Sequence, residues 1–168
     1  TITVYVNGEV VGTATTDSTG RYNFNLPEME EGSYSVEVSI INPNNGEEVK
    51  SDPASLVIDT HVVPLVWEIA GLNDEGYLNS NTPVVRGTSE AGAHITVMID
   101  GRIVVETVAA SDGNWVVSIP GIGVDGEHEI SFSVTDVAGN TENFGPQDFI
   151  LDTYITPVSY THLTLPTT

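Results

Sequence analysis

The stretch HITVMIDGRIVVETVAASDGNWVVSIP, at residues 94–120, is the most informative about the fold, because a similar stretch occurs earlier in the chain. Residues 1–27 are a close copy, TITVYVNGEVVGTATTDSTGRYNFNLP, and an offset of 93 residues aligns the glycines and the final prolines of the two stretches. The same offset places IDTHVVP (58–64) on LDTYITP (151–157). A period of this length indicates a whole repeated domain rather than the short unit of a solenoid.

Apolar and polar residues alternate along both copies, which is the pattern of a β-strand with one buried face. The pairs Asn7–Gly8 and Asp100–Gly101 tolerate positive φ and predict tight hairpins. No segment of useful length has the periodicity of an amphipathic helix, so the predicted fold class is all-β. The residues predicted to face the core, in matching runs, are Ile95, Val97 and Ile99 with Ile2, Val4 and Val6; Trp115, Val117 and Ile119 with Tyr22, Phe24 and Leu26; and Ile130, Phe132 and Val134 with Val36, Val38 and Ile40.

The second copy predicts seven short strands in about ninety residues, which is typical of an immunoglobulin-like Greek-key β-sandwich. The first copy begins at the third of these strands, so we expect a tandem of two sandwiches, the first truncated at its N-terminus. We assign residues 1–60 to this partial domain and residues 61–157 to the complete one. The predicted strands of the complete domain lie roughly at 64–70, 83–88, 94–100, 102–109, 114–120, 127–135 and 147–152.

The C-terminal segment VSYTHLTLPTT, at residues 158–168, has no counterpart at residues 65–75. It resembles the translation of a sequencing-adapter sequence, and we interpret it as a non-native tail. The alternative is that this threonine-rich segment forms the first strand of a third domain.

Composition excludes several classes of function. Four Lys and Arg against 24 Asp and Glu give a net charge of −20, which repels nucleic acid and anionic lipid. The chain has no cysteine, so disulfides, thiolate metal sites and thiol nucleophiles are excluded. No apolar run approaches the roughly 20 residues of a membrane-spanning helix, so we expect no direct insertion into a membrane.

The sequence shows no catalytic motif, and we expect no enzymatic activity. The four histidines are not spaced as metal ligands, and no nucleophile elbow or glycine-rich phosphate loop is present. Trp115 and Tyr22 occupy the same repeat position on the core-facing stripe, which favours packing over a sugar-binding platform, whereas Trp67 allows either interpretation.

Acidic turns predict a calcium site at one pole of the second domain. The turns at 89–92, 111–114 and 136–140 all lie at the end where the linker enters. Calcium takes six to eight oxygen ligands from carboxylates, carbonyls and water. The alternative is that these acidic turns only keep the surface solvated. The candidate ligands are Asp59, Glu90, Asp112, Asp136 and Asn140, with Asp152 repeating Asp59 at the other end of the domain.

Four stretches of the second copy resemble the bacterial Ig-like repeats of giant surface adhesins: TPVVRGTSEAGAHITVMIDG, SDGNWVVSIP, DGEHEISFSVTDVAGNT and FILDT. The resemblance implies an extracellular spacer that extends a ligand-binding tip from a bacterial cell, with neighbouring repeats as partners and calcium stiffening the linkers. An adhesive or carbohydrate-binding module of a secreted protein or enzyme is the alternative. The first copy departs from the pattern, because it has IINPNNGEE where the second has TDVAGN.

Overall fold

The computed structural model describes residues 1–155, so the tail predicted at 158–168 lies outside the described residues. The chain forms two compact units, Thr1–His61 and a second that begins at Val62. Both consist of strands, turns and loops, which confirms the all-β prediction. No helix in the described part of the chain is long and apolar enough to cross a membrane.

The first unit is a single five-stranded antiparallel sheet. Strand β3 is central: it pairs with β1 along one edge and with both β4 and β5 along the other, while β2 pairs with β1. Ile2 and Val4 on β1 are buried. The strands are β1 (Ile2–Val6), β2 (Glu9–Ala14), β3 (Gly32–Ile41), β4 (Glu48–Lys50) and β5 (Ala54–Ile58).

The second unit is a sandwich of two sheets. One has the order β10-β9-β12-β13-β7, and the other has the order β11-β8-β6. Phe132, Ile95, Val97 and Leu78 are fully buried in one hydrophobic core. The strands are β6 (Val66–Ile69), β7 (Tyr77–Leu78), β8 (Val84–Thr88), β9 (His94–Ile99), β10 (Arg102–Val108), β11 (Asn114–Ser118), β12 (Gly126–Thr135) and β13 (Thr141–Leu151).

The seven strands predicted for the second copy are all present, with two differences. The sequence did not predict β7, because Tyr77–Leu78 is only two residues long and forms by parallel pairing with β13. Strand β13 begins at Thr141 rather than at residue 147. The strand continues through Gly145–Pro146, opposite the point where the register shifts between Ile130 and Phe132.

The tight hairpins are confirmed by the backbone. Asn7 and Gly8 between β1 and β2 have φ of 50° and 82°, and Asp100 and Gly101 between β9 and β10 have φ of 51° and 71°. Two consecutive residues with positive φ are the requirement of the two-residue turn that matches the strand twist. The repeat therefore preserves turn geometry as well as sequence.

The core predicted around Tyr22 in the first unit is wrong. Residues 15–31 contain no strand, and Tyr22 is 41% exposed, whereas Trp115 at the same repeat position is 4% exposed. In the second unit, β11 is a strand because it pairs with β8, and residues 1–61 contain no counterpart of β8. Without a facing sheet, Ile40 on β3 is also exposed, which corrects its predicted core position.

Three aromatic rings join the two sheets of the second unit. Trp67 and Trp115 stand at equivalent positions on either side of Gly87 in the smaller sheet. Their ring centroids lie 4.6 Å and 5.9 Å from that of Phe132, which belongs to the facing sheet. A Cβ atom added at Gly87 would lie 1.9 Å from the Val66 carbonyl oxygen, so this position requires glycine.

We expect Trp115→Ala to lower the free energy of unfolding of the second unit by about 3–5 kcal/mol, the usual loss for a buried large aromatic. Tyr22→Ala at the matching position should cost less than about 1 kcal/mol, because its ring is largely exposed. Denaturant unfolding checks both variants, with circular dichroism for the whole chain and Trp67 fluorescence for the second unit. Equal losses for the two variants would contradict this assignment of the core.

Candidate functional site

The turn between β12 and β13 is organised by the carboxylate of Asp136, which is only 6% exposed. Its Oδ1 accepts hydrogen bonds from the backbone N–H groups of Gly139 (2.7 Å) and Asn140 (2.8 Å). Its Oδ2 accepts one from Asn140 Nδ2 at 2.8 Å. In the first unit, Asn42 holds the corresponding place, so an amide stands there instead of the carboxylate.

Asp136 is ionised at neutral pH despite its burial. Burial raises the pKa of this carboxyl group, but hydrogen bonds from the Asn140 side chain and from the N–H groups of Asn140, Gly139 and Ala138 outweigh it, so the pKa lies below its usual value. The turn therefore holds a fixed negative charge at this pole of the second unit.

Glu90, in the turn between β8 and β9, brings a second carboxylate to the same place. A carboxylate oxygen of Glu90 lies within 4.8 Å of one of Asp136. Two carboxylates at this separation are the oxygen donors that a hard cation such as Ca²⁺ prefers. The structure thus brings together two of the predicted ligands from separate turns of one unit.

Asp112, Asp59 and Asp152 each accept a hydrogen bond from the residue two positions further along the chain. The carboxylate of Asp112 accepts hydrogen bonds from the N–H (3.0 Å) and the Nδ2 (2.8 Å) of Asn114. Asp59 and Asp152 have matching geometries, because Oδ1 of each accepts the N–H two residues ahead, of His61 and Tyr154 respectively, at 3.3 Å. Asn140 lies beside Asp136 and donates to it.

Each Asp-Thr segment that ends a unit is anchored by a carboxylate that the sequence analysis missed. Oε1 of Glu31 accepts hydrogen bonds from the N–H (2.9 Å) and the hydroxyl (2.6 Å) of Thr60. In the second unit, the Asp125 carboxylate accepts them from the N–H (3.0 Å) and the hydroxyl (2.8 Å) of Thr153. We call these two arrangements the linker anchors.

The two linker anchors occupy equivalent positions. Glu31 directly precedes Gly32, the first residue of β3, and Asp125 directly precedes Gly126, the first residue of β12. Aligning the repeats at this acid–glycine pair would have found both. Hydrogen bonds from the Thr60 hydroxyl, from His61 and from the Thr60 N–H lower the pKa of Glu31 to about 2, so this anchor is charged at all but strongly acidic pH.

The tryptophans do not form an exposed sugar-binding platform in the described residues. Trp115 is buried, and Trp67, which the sequence left open, is half-buried with its ring packed on Phe132. The indole rings of the second unit are therefore part of its hydrophobic core.

Comparison with known proteins assigns the chain to a protein family. The model of the family described as "Bacterial Ig-like domain" matches residues 68–153. No protein with a curated description matches the chain.

The fold is also found in solved structures. A tetra-tandem repeat from the extending region of a large adhesion protein aligns with a TM-score of 0.51 and 21% identity, over 90% of this chain and 42% of that one. Fibronectin(III)-like modules of Clostridium thermocellum CbhA align with a TM-score of 0.46 and 15% identity, over 96% and 83% of the two chains. A Ca²⁺-stabilised adhesin of an Antarctic bacterium aligns with a TM-score of 0.40 and 20% identity, over 92% and 40%. The chain thus spans less than half the length of the adhesion-protein structure.

Removing one linker anchor should loosen the segment that it holds. We expect Asp125→Ala to lower the backbone order parameter of Thr153 from the rigid range, about 0.85, toward the flexible range below about 0.6, because both hydrogen bonds to Thr153 are lost. Nitrogen-15 relaxation measures this change. Glu142→Ala, which removes an exposed carboxylate from the opposite end of β13, is the matched control and should leave Thr153 rigid.

Proposed function

The chain belongs to the bacterial Ig-like domain family, and from this premise we propose that it is a structural spacer of a large bacterial surface adhesin. The observation that carries the proposal is that the linker anchor is built twice. Glu31 holds Thr60 and Asp125 holds Thr153 with the same pair of hydrogen bonds. A spacer needs this feature, since its role depends on fixing the direction in which the chain leaves each repeat.

In this role the chain lies outside the cell, in a surface-bound or secreted protein, and its partners are neighbouring repeats of the same protein. The surface charge suits that setting, because a net charge of −20 keeps a repetitive chain soluble and disfavours self-association. No catalysis is required. Glu31, Asp125 and Asp136 each accept hydrogen bonds from nearby backbone N–H groups and so act in the architecture of turns and linkers.

An adhesive or carbohydrate-binding module is the competing function, and a glycan array distinguishes the two. We expect the whole chain to show no saturable glycan binding, because Trp67 and Trp115 pack on Phe132 instead of presenting open ring faces. A saturable signal that Trp67→Ala abolishes, and that Tyr154→Ala at an exposed aromatic leaves intact, would replace the spacer proposal with a lectin.

We further propose that calcium binds where the linker enters the second unit. Glu90 and Asp136 supply two carboxylates within 4.8 Å of each other, both held on turns of that unit. Asp59 lies in the linker, three residues before Val62, where the second unit begins, and we propose it as the third carboxylate ligand.

Further oxygens complete the proposed site. Asn140 lies next to Asp136, and Asp112 lies in the turn between β10 and β11, so both can contribute directly or through water. Calcium accepts such a mixed shell of six to eight oxygens. Asp152, which has the turn geometry of Asp59, would begin the equivalent site for a following repeat.

Calcium should raise the melting temperature of the second unit and lengthen the two-unit particle in solution X-ray scattering. Extracellular modules bind Ca²⁺ with dissociation constants of roughly 10⁻⁴ to 10⁻³ M, so a few millimolar adds about 1–2 kcal/mol per site. Asp59→Ala and Asp136→Ala should each weaken both effects, whereas the control Asp148→Ala should retain them.

The difference in melting temperature with and without calcium is the quantity to compare, because Asp136 also supports its own turn. Calorimetry at about 5 mM Ca²⁺, well above the expected dissociation constant, provides the direct measurement. Absence of both binding heat and a thermal shift at that concentration would refute the calcium site. The spacer proposal would then rest on the linker anchors alone.

A further inference from the structure

His128 lies on β12 at the pole where the chain leaves the second unit, and its side chain is only 9% exposed. Its Nδ1 lies 2.7 Å from Oδ2 of Asp100, in the turn between β9 and β10. Its Nε2 lies 2.8 Å from the carbonyl oxygen of Val124, in the loop that precedes β12. The imidazole stacks on Phe149, with ring centroids 5.7 Å apart. The side chain thus bridges a turn and a loop.

Both neighbours of the ring are hydrogen-bond acceptors. An ionised carboxylate and a backbone carbonyl have no proton to donate, so the ring must donate at both nitrogens to make both bonds. Only the imidazolium form can do this, since a neutral imidazole has a single N–H. The arrangement is complete when His128 is protonated and loses one hydrogen bond when it is not.

The groups that face the ring favour the imidazolium. Burial by itself lowers the pKa of His128, but the hydrogen bonds to Val124 and Asp100 and the charge of Asp100 outweigh it and hold the pKa above the usual value. Arg102 is the cation near Asp100. Carboxylates from four elements line the shallow depression around the ring: Glu75, Asp100, Glu127, Glu129 and Asp148.

The loop that His128 holds also carries a linker anchor. Val124 directly precedes Asp125, whose carboxylate binds the N–H and hydroxyl of Thr153. Loss of the hydrogen bond to Val124 would therefore affect the residue next to Asp125, the side chain that fixes the outgoing linker. The ring, the loop and the linker form one connected set of hydrogen bonds within the second unit.

The first unit contains the loop half of this arrangement, with a tyrosine in place of the histidine. Tyr34 occupies the position of His128, and its hydroxyl donates to the carbonyl oxygen of Glu30, the counterpart of Val124, at 2.8 Å. Asn7 replaces Asp100, and its Oδ1 still accepts the N–H of Ser35 as Asp100 Oδ1 accepts that of Glu129. The imidazole bridge is thus a property of the second unit.

We propose that His128 is a pH-sensitive clasp on the linker: its imidazolium ties the loop at Val124 to the turn at Asp100, and its deprotonation loosens the loop and the Thr153 segment that Asp125 anchors. Because the pKa of His128 is raised on folding, the clasp is closed below about pH 6.5 and opens as the pH rises through the pKa of the folded state. The proposal depends neither on calcium nor on the spacer role.

Nuclear magnetic resonance of the whole chain, in calcium-free buffer with a chelator, tests the clasp between pH 5 and 9. We expect the ring proton of His128 to titrate with a midpoint above 6.5, and the amides of Val124, Asp125 and Thr153 to shift with the same midpoint. The order parameter of Thr153 should fall above that midpoint. Amides that do not follow the His128 midpoint would overturn the proposal.

Two variants taken from the first unit sharpen the test. His128→Tyr installs the hydrogen bond to the loop carbonyl that Tyr34 makes, so the titration of Val124, Asp125 and Thr153 should disappear while Thr153 stays ordered at all pH values. Asp100→Asn keeps the hairpin, as Asn7 does, but should move the His128 midpoint to lower pH. His94→Gln, at an exposed histidine at the start of β9, is the control and should change neither midpoint nor order. An unchanged midpoint in Asp100→Asn would contradict the clasp even if His128→Tyr did not fold.

Discussion

The packing of Trp67 and Trp115 on Phe132 is the interaction on which the second unit depends. The two indoles come from the smaller sheet and the phenyl ring from the larger one, so this contact makes two sheets into one core. Gly87 lies between the two tryptophans in the smaller sheet, at a position where a side chain would overlap the Val66 carbonyl. The first unit, with one sheet, has no such contact, and its Tyr22 remains exposed.

A rigid sandwich allows small groups at its poles to set the direction of the chain. The strands fix where the turns and loops lie, and Glu31 and Asp125 present carboxylates to the backbone N–H groups of the segments that leave the two units. Charge-assisted hydrogen bonds of this kind are shorter and stronger than neutral ones. Glu31 and Asp125 show that the position is retained in both copies, while Tyr34 and His128 show that the chemistry beside it differs.

Alternation and turn dipeptides predicted most of the fold, because they report local requirements: one buried face, or two consecutive residues with positive φ. They could not predict that residues 22–26 would be left without strand structure, because strand formation there depends on a partner distant in sequence. The same limit explains β7, which exists only through pairing with β13.

The calcium ligands were predicted from acidic residues in turns. The structure brings Glu90 and Asp136 together, while Asp112 is bonded within its own turn. The linker anchors join residues that are distant in sequence, so local patterns do not predict them. Aligning the two repeats at the shared acid–glycine pair would have identified the two carboxylates.

The large excess of acid is therefore part of the architecture as well as of the surface. Asp17, Asp112 and Asp136 each accept backbone N–H groups in a turn, and Glu31 and Asp125 do so at the linkers. Hydrogen bonds of this kind are strongest when the acceptor carboxylate is charged, so the architecture favours negative charge at these turns and linkers. A pole built in this way favours any cation that can be brought to it. The calcium ion that we propose beside Glu90 and Asp136 would neutralise this charge from the solvent, and an imidazolium at His128 would do so from the chain itself.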